Sequence, residues 1–224
     1  MEQPWAGIPK TSHDQVTDCL AQAPMILERV RSLPHLPKSQ QVDLLQRLIR
    51  ECWRIDKQLN VIYDEMRSQN LYWRVPSQTP LFSDLFPVVF CFRDAQVAAT
   101  LVLLWATRTM LWSGLFNMYQ HLESIAPENS CRVAESDQCS VLEFEGTDRC
   151  GGYLSVAHQV CQSVEYFLKD DMLLAGPLSV SPALGIVLDS LRNRPGHGRE
   201  IAWIQSALGV VRRKGLRVVQ DVNL

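Results

Sequence analysis

The sequence predicts an all-α protein, a single irregular helical bundle built around one buried central helix. Three observations predict it. Apolar residues recur at spacings of three and four over long stretches, above all from Val42 to Met66. The run from Ala95 to Ser124 is apolar on most of its sides, as expected of a helix enclosed by neighbours. No alternating strand pattern is sustained along the chain. With 224 residues, 46% of them hydrophobic, a sizeable core is within reach.

Residues 1–12 read as a loose N-terminus and 13–224 as one helical domain. Helical periodicity begins near His13, with Val16, Leu20, Leu27 and Val30 as its apolar positions. Pro24 is expected to break or kink this segment, and Leu33-Pro34-His35-Leu36-Pro37 to link it to the next. Ser39 is the expected N-cap of a long amphipathic helix carrying Val42, Leu45, Ile49, Cys52, Ile55, Leu59, Ile62 and Met66. Asn70 to Phe92 contains Pro76, Pro80 and Pro87 and reads as an irregular crossing segment.

Asp94 can cap the central helix. Leu101, Leu104, Leu111, Leu115 and Leu122 share one of its faces; Val102, Trp105, Trp112, Phe116 and Tyr119 share another. Residues 127–152 are acidic, hold three cysteines and end in Gly-Gly, so a long surface loop is expected there. Three helices should close the chain: Tyr153 to Met172, Pro177 to Arg192 and Gly198 to Lys214. Arg212, Arg213 and Lys214 suit the negative end of the last helix, and Gly215 suits a left-handed cap.

A formal charge of −2 argues against direct nucleic-acid binding, which needs basic excess to neutralise phosphates. The first ten residues carry no apolar leader, and the seven cysteines are irregularly spaced. An intracellular protein with reduced thiols, nuclear or cytoplasmic, is the expectation. No Cys-x-x-Cys pair occurs, so no zinc or other metal site is expected, and Cys131, Cys139 and Cys150 are too widely spaced to make one. No cofactor-binding motif is present, and none of the common hydrolase, protease or nucleotide-binding motifs occurs. Gln96 to Tyr119 could be mistaken for a membrane span, but Arg108 at its middle makes a buried core helix the better reading.

Arg108 stands on the face of Leu104, Leu111 and Leu115, so it is expected to pair with an acid, meet an anion or snorkel outward. Glu165 and Asp189 are its candidate partners, and orienting a ligand carboxylate or enolate is the functional alternative. Trp105, Arg108, Trp112, Phe116 and Tyr119 could wall a cavity for a flat or greasy ligand, although such a row is more often plain core. Arg108, Glu165 and His197 are the candidates for polar catalysis. His197, in Pro-Gly-His-Gly, could act as acid or base, or simply stand in a turn that starts a helix. His158, Gln162, Glu165 and Lys169 read as a solvated helix face, as do Asp170 and Asp171. Arg192, Arg194, Arg199, Arg212, Arg213, Lys214 and Arg217 form a locally basic C-terminal surface that could meet an acidic partner.

The closing blocks, Val160-Cys161-Gln162-Ser163-Val164-Glu165-Tyr166-Phe167 to Met172, Gly176-Pro177-Leu178 and Pro195-Gly196-His197-Gly198-Arg199-Glu200-Ile201-Ala202-Trp203, resemble the C-terminal effector domain of fungal binuclear-zinc-cluster transcription factors. Leu71-Tyr72-Trp73, Phe86 to Phe90 and Ala98 to Ala106 extend the resemblance in weaker form over roughly Ser12 to Gly215. The resemblance implies a helical regulatory domain in the nucleus, contacting a transcription factor or co-regulator and often tied to secondary metabolism. The family's zinc-cluster module needs closely spaced N-terminal cysteines, whereas Cys19 stands alone here, so DNA binding does not carry over. A regulatory domain binding a partner protein or a small hydrophobic metabolite is the first expectation. A cofactor-independent cyclase or isomerase on the same scaffold is the second, and an inactive remnant the third. Homodimerisation is left open.

Overall fold

The computed structural model describes residues 9–125, 151–192 and 195–214. The acidic stretch with Cys131, Cys139 and Cys150 lies outside the described residues, as do Arg194, Gly215 and Arg217.

Helix α1 spans Ser12–Leu20 and opens on a capping box: the Thr11 hydroxyl accepts from the Asp14 N–H, and the Asp14 side chain accepts from the Thr11 N–H. Helix α2 follows at Ala23–Ser32. Pro24 sits in its first turn and starts it, where the missing N–H has no intrahelical partner to lose. The segment is thus broken at Ala21 and Gln22, beside the proline expected to break or kink it. A 3₁₀ turn at Leu33–His35 leads to helix α3, Lys38–Ser68, whose cap position is Pro37 and not the expected Ser39.

The crossing segment is more regular than its prolines suggest. Strands β1, Tyr72–Pro76, and β2, Val88–Phe92, pair antiparallel with Arg74 opposite Phe90. Pro76 ends β1, Pro80 opens the one-turn helix α4 at Pro80–Ser83, and Pro87 precedes β2. The prolines stand at edges and starts of elements, where no ladder hydrogen bond is lost. A two-stranded hairpin is marginal alone. Here β2 packs on the helix that follows residue 150 and on the central helix.

Helix α5, Ala95–Ile125, is that central helix. Asp94 caps it, its Oδ1 accepting from the Val97 N–H at 2.8 Å. By length and composition α5 could cross a membrane, but 72% of its most apolar window is buried inside the fold. Helix α6, Tyr153–Phe167, and helix α7, Ala175–Arg192, pack against α5, as do α1 and α3. Helix α6 stops five residues short of Met172, and Asp170–Met172 forms a separate 3₁₀ turn. Its open C-terminus is closed by Lys214, whose Nζ donates to the Leu168 carbonyl at 2.6 Å and lies 3.2 Å from Asp170. Helix α8, Gly198–Arg213, packs on α7.

The two punctuating glycines have distinct causes. Gly196 takes φ +93°, the left-handed region that favours glycine, and turns the chain into α8. Gly176 is a close approach: a Cβ there would stand 2.0 Å from the Phe167 carbonyl oxygen. Only glycine lets the start of α7 meet the end of α6.

Candidate functional site

Arg108 is buried, as its helical face predicts, but its partners are not Glu165 or Asp189. Its Nε donates to Asp56 Oδ1 at 2.9 Å, with the two side chains 7% and 1% exposed. Trp112 Nε1 donates to the same oxygen at 3.0 Å. Asn60 completes the cluster, its Oδ1 accepting from Arg108 and its Nδ2 donating to Asp56 Oδ2 at 3.3 Å. The guanidinium carbon lies 5.6 Å from the Tyr63 ring centroid and 5.4 Å from that of Trp112. Burying both charges is tolerable because each is matched in charge and in hydrogen bonds. Asp56, Asn60 and Tyr63 are spaced by four and three on α3, so one polar face of that helix meets Arg108.

The aromatic row on α5 is core. Trp105 is 1% exposed, packed edge-on against Tyr72 at 5.6 Å and tilted on Phe90 at 5.4 Å. Phe116 packs on Tyr153, and the Tyr119 hydroxyl accepts from Trp53 Nε1 at 3.0 Å. Trp105, Arg108, Trp112, Phe116 and Tyr119 line neither of the two concavities described below.

Glu165 is half-buried and holds the hairpin connection. One carboxylate oxygen accepts from Ser77 Oγ at 2.6 Å, the other from the Gln78 N–H at 2.8 Å. Gln162 donates to the Val88 carbonyl at 3.0 Å, and Phe86 packs edge-on against His158. Three of the residues expected as a solvated face therefore clamp the hairpin to α6. The hairpin supplied a polar partner surface that helical periodicity cannot register. His197 is at the cap position of α8, its Nε2 2.7 Å from the Tyr153 hydroxyl, which joins the start of α8 to the start of α6. Arg108, Glu165 and His197 thus belong to three separate contacts and converge on no common point.

The concavity with a ligand-site character lies elsewhere on α5. Helices α2, α3 and α5 enclose a groove of about 330 Å³. Ile26, Leu27, Met110, Leu111 and Met118 form its walls, and Gly114 forms part of its floor. Asn117 and His121 are its polar contributors, one helical turn apart on α5. Cys52 also lines it; burial pushes that thiol up to about 12, so it stays protonated and apolar. Leu27 is 49% exposed because its outer side faces this groove and not a packed neighbour.

Gly114 lines the groove with no side chain. A Cβ built there meets no atom within 4 Å, so no packing or backbone demand explains the glycine. Glycine in a helix interior is otherwise unfavourable. Sequence reasoning missed it, although a glycine between Trp112 and Leu115 in so strong a helix is the signal that could have found it.

No family model matches the chain. No curated protein and no solved structure matches it either. Among the described residues, no group of three or more His, Cys, Asp or Glu is placed to hold a metal ion. Cys19, Cys52, Cys91 and Cys161 are free thiols.

Proposed function

We propose that the protein is a regulatory domain of the fungal transcription-factor effector type, and that it senses a small apolar metabolite held between α2, α3 and α5. The observation that carries this reading is the groove at Gly114: about 330 Å³, aliphatic and sulfur-lined, with Asn117 and His121 as its polar contributors. That is the size and lining of a small-ligand site. Its walls come from three helices, so an occupant would bias how α2 sits on α3 and α5. On this reading a transcription factor or co-regulator in the nucleus receives the signal, and secondary metabolites are the ligand class that suits the lining.

Cyclase or isomerase chemistry draws no support from the three residues expected to carry it; His121 is the groove's one imidazole. Such chemistry needs an acid or base beside the substrate. Arg108, Glu165 and His197 hold Asp56, the hairpin and Tyr153 instead, and none lines the groove.

N-phenyl-1-naphthylamine, a neutral probe that brightens out of water, tests the proposal. Saturable enhancement is expected with the wild-type protein. Gly114→Leu starts its side chain from a Cβ that meets no atom within 4 Å at the groove, and the affinity should fall by about tenfold or more. A wild-type protein that gives no saturable signal, or a variant that binds as well, would contradict it.

A further inference from the structure

The second concavity lies where α3 ends and the hairpin begins, and it has the opposite character. It encloses about 400 Å³ between Tyr63, Arg67, Tyr72, Trp73, Arg74 and Gln159. No carboxylate lines it. Among the described residues neither Arg67 nor Arg74 makes an ion pair or a side-chain hydrogen bond; Arg74 lies over the Phe90 ring at 5.7 Å. Two guanidinium groups on one concave wall repel each other unless an anion is between them.

The hydroxyls add a directed donor. Tyr63 and Tyr72 oxygens are 3.1 Å apart, so one phenolic proton bridges them and the other is left to donate elsewhere. Burial and the Tyr63 hydroxyl hold the Tyr72 phenol well above its ordinary range, which keeps it a donor at neutral pH. Tyr63 is fixed from behind by the Arg108 guanidinium, so the donor is anchored to the buried Asp56–Arg108 cluster. Trp73, at the rim, is 51% exposed and offers an indole face to a planar ring. A polyanion such as nucleic acid would need a wider basic surface than this chain, with its net charge of −2, provides.

We infer that this cleft is a binding site for an aromatic carboxylate, its carboxylate held by Arg67 and Arg74 with a tyrosine hydroxyl, and its ring laid against Trp73. This inference stands apart from the apolar groove, and neither depends on the other. Guanidinium forks match carboxylate geometry, and a half-exposed indole supplies the flat contact.

Isothermal titration with 2-naphthoate tests it, using methyl 2-naphthoate as the uncharged analogue. Wild-type protein should bind 2-naphthoate saturably, and the ester at least about tenfold more weakly. Arg67→Gln with Arg74→Gln should lose about tenfold or more in 2-naphthoate affinity while keeping the wild-type melting temperature. Trp73→Leu should weaken both compounds, and Gly114→Leu should change neither. No saturation up to about 1 mM would overturn the inference, as would equal binding of the ester. Undiminished binding by the double glutamine variant would overturn it too, and loss in Gly114→Leu would move the site to the apolar groove.

Discussion

Asp56 Oδ1 accepts hydrogen bonds from both Arg108 Nε, at 2.9 Å, and Trp112 Nε1, at 3.0 Å. One carboxylate oxygen thereby ties the middle of α3 to two successive turns of α5. Removing Asp56 takes the counter-charge from a buried guanidinium, which keeps Asn60 Oδ1, and the shared oxygen from a buried indole N–H. Asp56→Ala should cost about 3–5 kcal/mol, read from urea denaturation. Asp56→Leu combined with Arg108→Met should cost much less, since an apolar pair of similar volume leaves no charge stranded. A loss below about 1 kcal/mol for the single variant would show that the pair carries little of the packing between α3 and α5.

Gly176, at close quarters, and Gly114, in open space, should respond in opposite directions to alanine. Gly176→Ala brings a methyl within 2.0 Å of the Phe167 carbonyl oxygen, so it should destabilise by about 1–3 kcal/mol or more. Gly114→Ala meets open space in a helix interior and should stabilise by about 0.5–1 kcal/mol. Thermal melts of the two variants check both signs.

Glu165 is expected to act as a clamp and not as a catalyst. Glu165→Ala should speed hydrogen exchange at the Gln78 amide, which loses its acceptor, and cost about 1–3 kcal/mol. Glu165→Gln retains one carbonyl acceptor and should lose less. Exchange at Gln78 unchanged in Glu165→Ala would dissolve the clamp.

Asp94 gives a pH signature. The Val97 N–H bonded to its carboxylate lowers its pKa, with the neighbouring Arg93 adding to the effect. A carboxyl lowered in the folded state contributes stability above its unfolded pKa and loses it as pH falls through the folded value. The melting-temperature advantage of wild type over Asp94→Asn should therefore shrink as pH drops below about 4. An advantage independent of pH would mean that the cap works by hydrogen bonding alone.

Much of this fold is legible in the sequence. The periodic apolar residues of α3 are buried, Asp94 caps α5, and Arg108 faces inward. Three features are not legible, for physical reasons. The partner of Arg108 is fixed by how α3 docks on α5, and Asp56 looks like any polar residue between apolar ones until that docking is known. The hairpin shows no clean alternation because its own prolines mask it, and Val89 and Phe90 are buried in succession on β2. The apolar groove escapes a search for aromatic rows because aliphatic residues, methionines and Gly114 line it.

The central claim is that the apolar groove, not the aromatic row, is the ligand site. Methyl NMR of methionine-labelled protein tests it most directly, because Met110 and Met118 line the groove while Met66 is buried away from it on α3. Titration with N-phenyl-1-naphthylamine should shift the Met110 and Met118 methyl signals together along one saturable curve and leave Met66 unmoved. Shifts at Met66 with Met110 and Met118 unchanged, or no shifts at all, would contradict the claim.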